Sequence, residues 1–341
     1  MSTAAAILGC AGPVLTRAET AFFRDVKPWG FILFARNVES PDQVRRLVEA
    51  LRATVGRDDA PVLIDQEGGR VQRLGPPHWG KYPPGRAYGD LAGNDPLLRR
   101  EITRLGARLL AHDLAALGIN VDCVPVLDVP DPSGHEIIGD RAYGRTADEV
   151  ALLGRAAAEG LIAGGVLPII KHIPGHGRAM ADSHLELPVV DTPWEELDAR
   201  DFAPFRVCSD MPMAMTAHVI YSAVDRKRPA TTSKKVMKQV IRGTIGFDGL
   251  VMSDDLSMKA LAGSFTDRAK ASLAAGCDVV LHCNGDMAEM KAVLAGTAVL
   301  KGRAARRAEA ALARIARSPE PFDVAEGRAR FDAAFDGRFA S

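Results

Sequence analysis

Short apolar runs alternate with helix-patterned stretches about eight times along this chain, and that rhythm restricts the fold more than any other feature. The runs are Ala4–Cys10, Gly30–Phe34, Pro61–Ile64, Asn120–Leu127, Val166–Ile170, Pro212–Thr216, Gly249–Met252 and Cys277–His282. They are apolar on both faces, as strands covered on both sides of a parallel sheet must be. Capping-box patterns mark three helix starts: Thr16-x-x-Glu19, Thr146-x-x-Glu149 and Thr192-Pro193-x-Glu195, the last with proline at the first helical position. Further helices are expected over 41–55, 96–117, 233–243, 266–275 and 286–299. Strand and helix repeated eight times predict a (β/α)8 barrel, the TIM-barrel architecture, and 341 residues suit one such barrel with inserted loops. A doubly wound sheet is the rival, but no GxGxxG follows the first strand. A single domain is expected across 1–341, with its core at about 4–300. The basic, alanine-rich stretch 303–317 reads as a closing helix and 318–341 as a surface extension.

Composition narrows the setting. Lys plus Arg and Asp plus Glu balance at 43 each, so no basic face is implied and nucleic acid is not the expected partner. Cysteines at 10, 123, 208, 277 and 283 form no CxxC pair, which suggests reduced thiols in a cytoplasmic protein. No apolar run approaches the roughly 18–20 residues that span a bilayer. The N-terminal stretch lacks a positively charged leader segment. Ile7-Leu8-Gly9-Cys10 faintly resembles a lipid-attachment site, but it also reads as the end of the first strand. No membrane partner is expected.

Polar, reactive residues follow the apolar runs: Asp65, Asp128, Lys171-His172, His218 and Asp254. Barrel enzymes build their sites at these C-terminal strand ends. The densest cluster is Lys171-His172-Ile173-Pro174-Gly175-His176-Gly177, followed by Asp182-Ser183-His184. His172 and His176 have the spacing of a helical metal pair, but Pro174 and Gly175 between them oppose a regular helix. The alternative is a proton-transfer pair. Asp182 and His184, two apart, point the same way in an extended segment, so the carboxylate can fix the imidazole tautomer while the other nitrogen moves a proton. Ser253-Asp254-Asp255 ends another run. Adjacent residues of a strand face opposite ways, so one of the two acids is expected at the barrel mouth. A carboxylate there can attack an anomeric carbon; Asp255 reads as a cap or supporting group. Asp65 and Arg73 in Asp65-Gln66-Glu67-Gly68-Gly69-Arg70-Val71-Gln72-Arg73, and Arg141 in Ile138-Gly139-Asp140-Arg141-Ala142-Tyr143-Gly144, suit hydroxyl and carboxylate recognition. Each alone is as often a structural ion pair. His218 could equally be a satisfied core histidine.

Together these segments resemble the family 3 glycoside hydrolases, and within them the bacterial β-N-acetylglucosaminidases of peptidoglycan recycling. The resemblance runs from about residue 28 to 285. It also takes in Ile32-Leu33-Phe34-Ala35-Arg36-Asn37, Ala214-Met215-Thr216-Ala217-His218, Gly246-Phe247-Asp248-Gly249 and Ser253-Asp254-Asp255-Leu256-Ser257-Met258. It implies a barrel without a second domain. It implies Asp254 as nucleophile and His184, paired with Asp182, as acid/base. Asp65, Arg73, Arg141, Lys171, His172 and His218 match positions that hold or line the sugar site. The implied substrate is a muropeptide or an N-acetylglucosaminyl-anhydromuramic acid disaccharide, cut without cofactor or metal. Arg178-Ala179-Met180-Ala181 departs from the more polar stretch of many relatives. Three other readings are a phosphorylase of the same family, a metal-dependent barrel amidohydrolase and an inactive sugar-binding protein.

Overall fold

The computed structural model describes residues 2–91, 95–132, 136–179, 183, 186–316 and 318–339. Eight parallel strands close into a barrel: β1 (Ala4–Gly9), β2 (Pro28–Leu33), β3 (Val62–Ile64), β4 (Val121–Asp122), β5 (Leu167–Ile173), β6 (Met213–Thr216), β7 (Leu250–Asp255) and β8 (Val279–His282). Each pairs with its sequence neighbours, and β8 closes on β1. The expected fold is therefore the observed one.

Period-two alternation explains why the strands are apolar throughout. Ile7, Leu63, Leu167, Ile169, Met213, Leu250, Met252 and Leu281 belong to one buried cluster. Their chain neighbours Leu8, Val62, Ile64, Ile170, Ala214, Val251 and Val280 belong to the clusters shared with the surrounding helices. One set fills the barrel, and the other holds the helices to its outside. The same alternation carried past the apolar floor selects the reactive side chains. Asp65 follows Leu63 by two, Lys171 follows Ile169 by two, and Asp254 follows Met252 by two.

The helices start where the chain supplies caps. Thr16 and Thr146 form complete capping boxes with Glu19 and Glu149, opening α1 (Arg17–Val26) and the helix Ala147–Ala163. Ser40 and Asp95 cap Pro41–Val55 and Pro96–Ala115, each with proline in its first turn.

The structure corrects four expectations. The 120–127 run pairs as a regular strand only at Val121–Asp122, with a further bridge from Val126 to Lys171. Pro125 has no N–H to give the ladder, and Leu127 regains contact by donating to the Lys171 carbonyl at 2.7 Å. Thr192 is not the N-cap: the helix begins at Trp194, with Pro193 at its N-cap and no side-chain cap bond. The stretch 318–339 is more than a surface extension. Its helix Val324–Ala334 and the turn after it bury Phe331 and Phe335 against Tyr88, with Phe335 edge-on at 5.4 Å. Arg328 ties the helix to Asp113 at 2.7 Å. Finally, Asp254 and Asp255 do not face opposite sides, because the register of β7 against β8 shifts between Met252 and Asp255. Among the described residues no helix is long and apolar enough to cross a membrane.

Candidate active site

The C-terminal strand ends enclose a cavity of about 500 Å³, within the range of small-molecule sites. Ile32, Met215 and Leu281 of the barrel interior form its floor, and both Asp254 and Asp255 line it.

A cross-barrel ion cluster shapes one wall. Lys171, 2% exposed, donates from Nζ to Asp65 Oδ1 at 2.9 Å and lies 2.6 Å from Glu67 Oε1. Arg141 grips Glu67 with a fork, Nε to Oε2 at 2.9 Å and Nη2 to Oε1 at 2.8 Å, and its Nη1 donates to the Ile137 carbonyl at 3.1 Å. Arg73 Nη2 reaches Asp65 Oδ2 more loosely, at 3.4 Å. Burial alone would push both carboxyls up and the ammonium down. Arg141 and Lys171 outweigh burial at Glu67, bringing it to about 2. Lys171 and Arg73 do the same for Asp65, and the two carboxylates hold Lys171 above its ordinary value. All three are charged. The donor count then separates supporting groups from binding groups. Glu67 has both oxygens occupied by cations. Among the described residues, with both carboxylate contacts counted, Lys171 keeps one of three N–H donors and Arg141 two of five.

Asp128 organises the segment after β5. Its Oδ1 accepts from the backbone N–H of His172 at 3.1 Å and of His176 at 2.7 Å, while its Oδ2 lies 2.7 Å from His172 Nδ1. Burial raises the Asp128 carboxyl, but His172 and these hydrogen bonds bring it below its ordinary value. A carboxylate only accepts, so His172 Nδ1 donates to it, and the His172 side chain lines the cavity. His176 is driven down to about 4 by burial and by the neighbouring His172, and stays neutral. The chain also packs tightly here: a Cβ at Gly177 would overlap the Val129 carbonyl oxygen. Arg178 anchors the base of this loop, with Nε 2.7 Å from Asp201 and Nη1 3.4 Å from Asp131. Tyr221 donates to the Gly175 carbonyl at 2.6 Å.

Asp255 is turned to support. Its Oδ1 accepts from the N–H of Ser257 at 3.0 Å and of Cys283 at 3.2 Å, and the Ser257 hydroxyl donates to Oδ2. Asp254 Oδ1 accepts from the Asp255 N–H at 2.8 Å. His218 lies behind the wall, fully buried. Its Nε2 donates to the Asp255 carbonyl at 3.0 Å and its Nδ1 meets Thr231 Oγ1 at 2.7 Å. Burial holds this ring down and neutral. It braces the end of β7 and is absent from the cavity lining. Asp65, Arg73, Arg141, Lys171, His172 and Asp254 are brought together on that lining. Asp182 and His184 lie outside the described residues; Ser183 between them lines the cavity. No group of three or more metal-ligating side chains occurs among the described residues. Sequence reasoning missed Glu67 and Asp128 as supports. The two-residue offset of Glu67 from Asp65 and the strand-end position of Asp128 were the available signals.

The chain is similar to known proteins. The glycosyl hydrolase family 3 N-terminal domain matches residues 16–318. A β-hexosaminidase of Methylococcus capsulatus is 41% identical over 277 residues, covering 80% of this chain and 80% of its own length. One from Bordetella pertussis is 38% identical, covering 82% of this chain and 80% of its own. Among solved structures, native NagZ from Neisseria gonorrhoeae superposes with a TM-score of 0.85 at 33% identity, over 100% of this chain and 99% of that one. The match over residues 16–318, together with relatives about 40% identical over four fifths of the chain, shows that the chain belongs to glycosyl hydrolase family 3.

Proposed function

We propose that this enzyme, a hydrolase of the β-N-acetylhexosaminidase type, is a retaining exo-β-N-acetylglucosaminidase acting on peptidoglycan fragments. Its substrates would be N-acetylglucosaminyl-anhydromuramic acid with or without attached peptide. One observation carries the reading. Asp254 shares its cavity with the Lys171–Asp65–Glu67–Arg141 cluster on one side and with Ser183, the residue between Asp182 and His184, on another. The cluster's spare donors, and the loosely held Oδ2 of Asp65, suit a ring of sugar hydroxyls. His172 Nε2 and Arg73 complete the binding set, and His218 acts through β7. A NagZ from Neisseria gonorrhoeae solved in complex with N-trifluoroacetyl-D-glucosamine, 33% identical with a TM-score of 0.85, supports an amino-sugar occupant.

The chemistry then follows in two displacements. His184, oriented by Asp182, protonates the departing glycosidic oxygen while the Asp254 carboxylate bonds to the anomeric carbon and the C1–O bond breaks. The neutral His184 next takes a proton from water, whose oxygen attacks the same carbon and releases Asp254 and the sugar. Two inversions give net retention, with no cofactor or metal consumed. The whole chain, 1–341, would act as a single catalytic unit in the cytoplasm, without nucleic acid or membrane partners.

Proton NMR of a fresh digest of the disaccharide tests this. The first sugar released should be the β-anomer of N-acetylglucosamine. An initial α-anomer contradicts it, and N-acetylglucosamine 1-phosphate formed when phosphate is added would instead mark a phosphorylase. The His184→Ala variant should lose roughly 10²–10⁴-fold in turnover of the disaccharide. It should lose far less on an activated dinitrophenyl glycoside, whose leaving group departs without a proton. Equal losses would remove His184 as the acid.

A further inference from the structure

We propose that His176 and Ser183 form a latch that fixes the chain between Asp182 and His184, making both positioning residues for proton transfer. The inference rests on the acid/base reading above. Ser183 is 3% exposed and is tied at two points: Oγ lies 3.1 Å from His176 Nε2, and its carbonyl accepts from the Ala260 N–H at 3.3 Å. His176 is fixed in turn. Its backbone N–H donates to Asp128, and its ring stands edge-on to His172, with centroids 5.7 Å apart. One carboxylate, Asp128, thus registers both the sugar-facing His172 and the ring that holds Ser183.

The hydrogen bond matters because of what surrounds the His176 ring. Its Nδ1 is buried with no hydrogen-bond partner among the described residues, so Ser183 is the ring's single polar anchor there. A residue placed only to fill space would be apolar at such a point, since a buried, half-satisfied imidazole is costly. Ser183 is also one residue, about 3.8 Å of chain, from each member of the proposed dyad. A small displacement at Ser183 is therefore passed on to groups whose alignment governs proton transfer, where a shift of about 1 Å can cost on the order of 10²-fold.

The test measures kcat and KM of full-length Ser183→Ala, His176→Leu, the double variant and His184→Ala on the disaccharide and on the dinitrophenyl glycoside. Ser183→Ala should lower kcat on the disaccharide roughly 3–10-fold, the worth of one hydrogen bond, and leave the dinitrophenyl rate within about twofold. The double variant should be no worse on the disaccharide than the poorer single variant. Equal losses of Ser183→Ala on both substrates would overturn the latch, as would unchanged rates or additive losses in the double variant. His184→Ala separates the two ideas. If it discriminates between the substrates and Ser183→Ala does not, the latch alone fails. If His184→Ala does not discriminate, the acid/base reading fails and the latch with it.

Discussion

Replacing Asp254 with alanine should abolish hydrolysis, with kcat falling by roughly 10⁴-fold or more, while the protein melts within a few degrees of its parent. The size of the loss follows from where the carboxylate stands. β7 delivers it to the cavity on the same inner face as Leu250 and Met252, so a buried strand fixes its position. Asp255 cannot replace it: that carboxylate is committed to Ser257 and to the Cys283 N–H, and it lies beyond a register shift. Folding is spared because Asp254 is only half-buried. Sugar release from the disaccharide and a thermal melt check both halves. Residual activity within tenfold of the parent would mean that another group does the work.

The second large effect falls on stability and binding together. Lys171→Met should cost about 3–5 kcal/mol, the usual result of removing one partner from a buried ion pair. It leaves Asp65 and Glu67 side by side with less compensating charge, and it also deletes a donor to the sugar, so KM should rise. The pH dependence has a definite sign. Glu67 moves from an ordinary 4.5 to about 2 in the folded protein, and Asp65 is also depressed. Depressed carboxyls contribute stability that is complete above their unfolded values and is lost as pH falls toward the folded ones. The gap in urea midpoint between parent and variant should therefore be full at pH 7 and narrow as pH drops below about 4.5. A gap that stayed constant with pH would show that Lys171 contributes through packing alone.

Local pattern made the barrel legible, and distant partnership hid much of the site. Eight apolar runs, and the capping boxes at Thr16 and Thr146, are short-range signals that physics reads within a few residues. The same is true of the inward register that carries Leu63 to Asp65 and Ile169 to Lys171. What the chain does not display locally is which charge meets which. Lys171 and Asp65 are 106 residues apart, and His172 and Asp128 are 44 apart. The supporting roles of Glu67 and Asp128 exist only once those strands are adjacent. His218 illustrates the converse. A histidine at a strand end looks reactive in sequence, yet Thr231 and the Asp255 carbonyl take both of its nitrogens. The packing of the tail is hidden in the sequence for a similar reason. Phe331 and Phe335 carry little periodic signal by themselves, and their burial depends on Tyr88, far earlier in the chain.

Incubation with a fluorinated N-acetylglucosaminyl donor bearing an activated leaving group, followed by peptide mass mapping, tests the central claim most directly. Fluorine slows the second displacement more than the first, so the covalent sugar should accumulate, one per chain, on the peptide containing Asp254. A label on Asp65, on Glu67 or on a histidine, or turnover with no covalent sugar at any stage, would contradict the account.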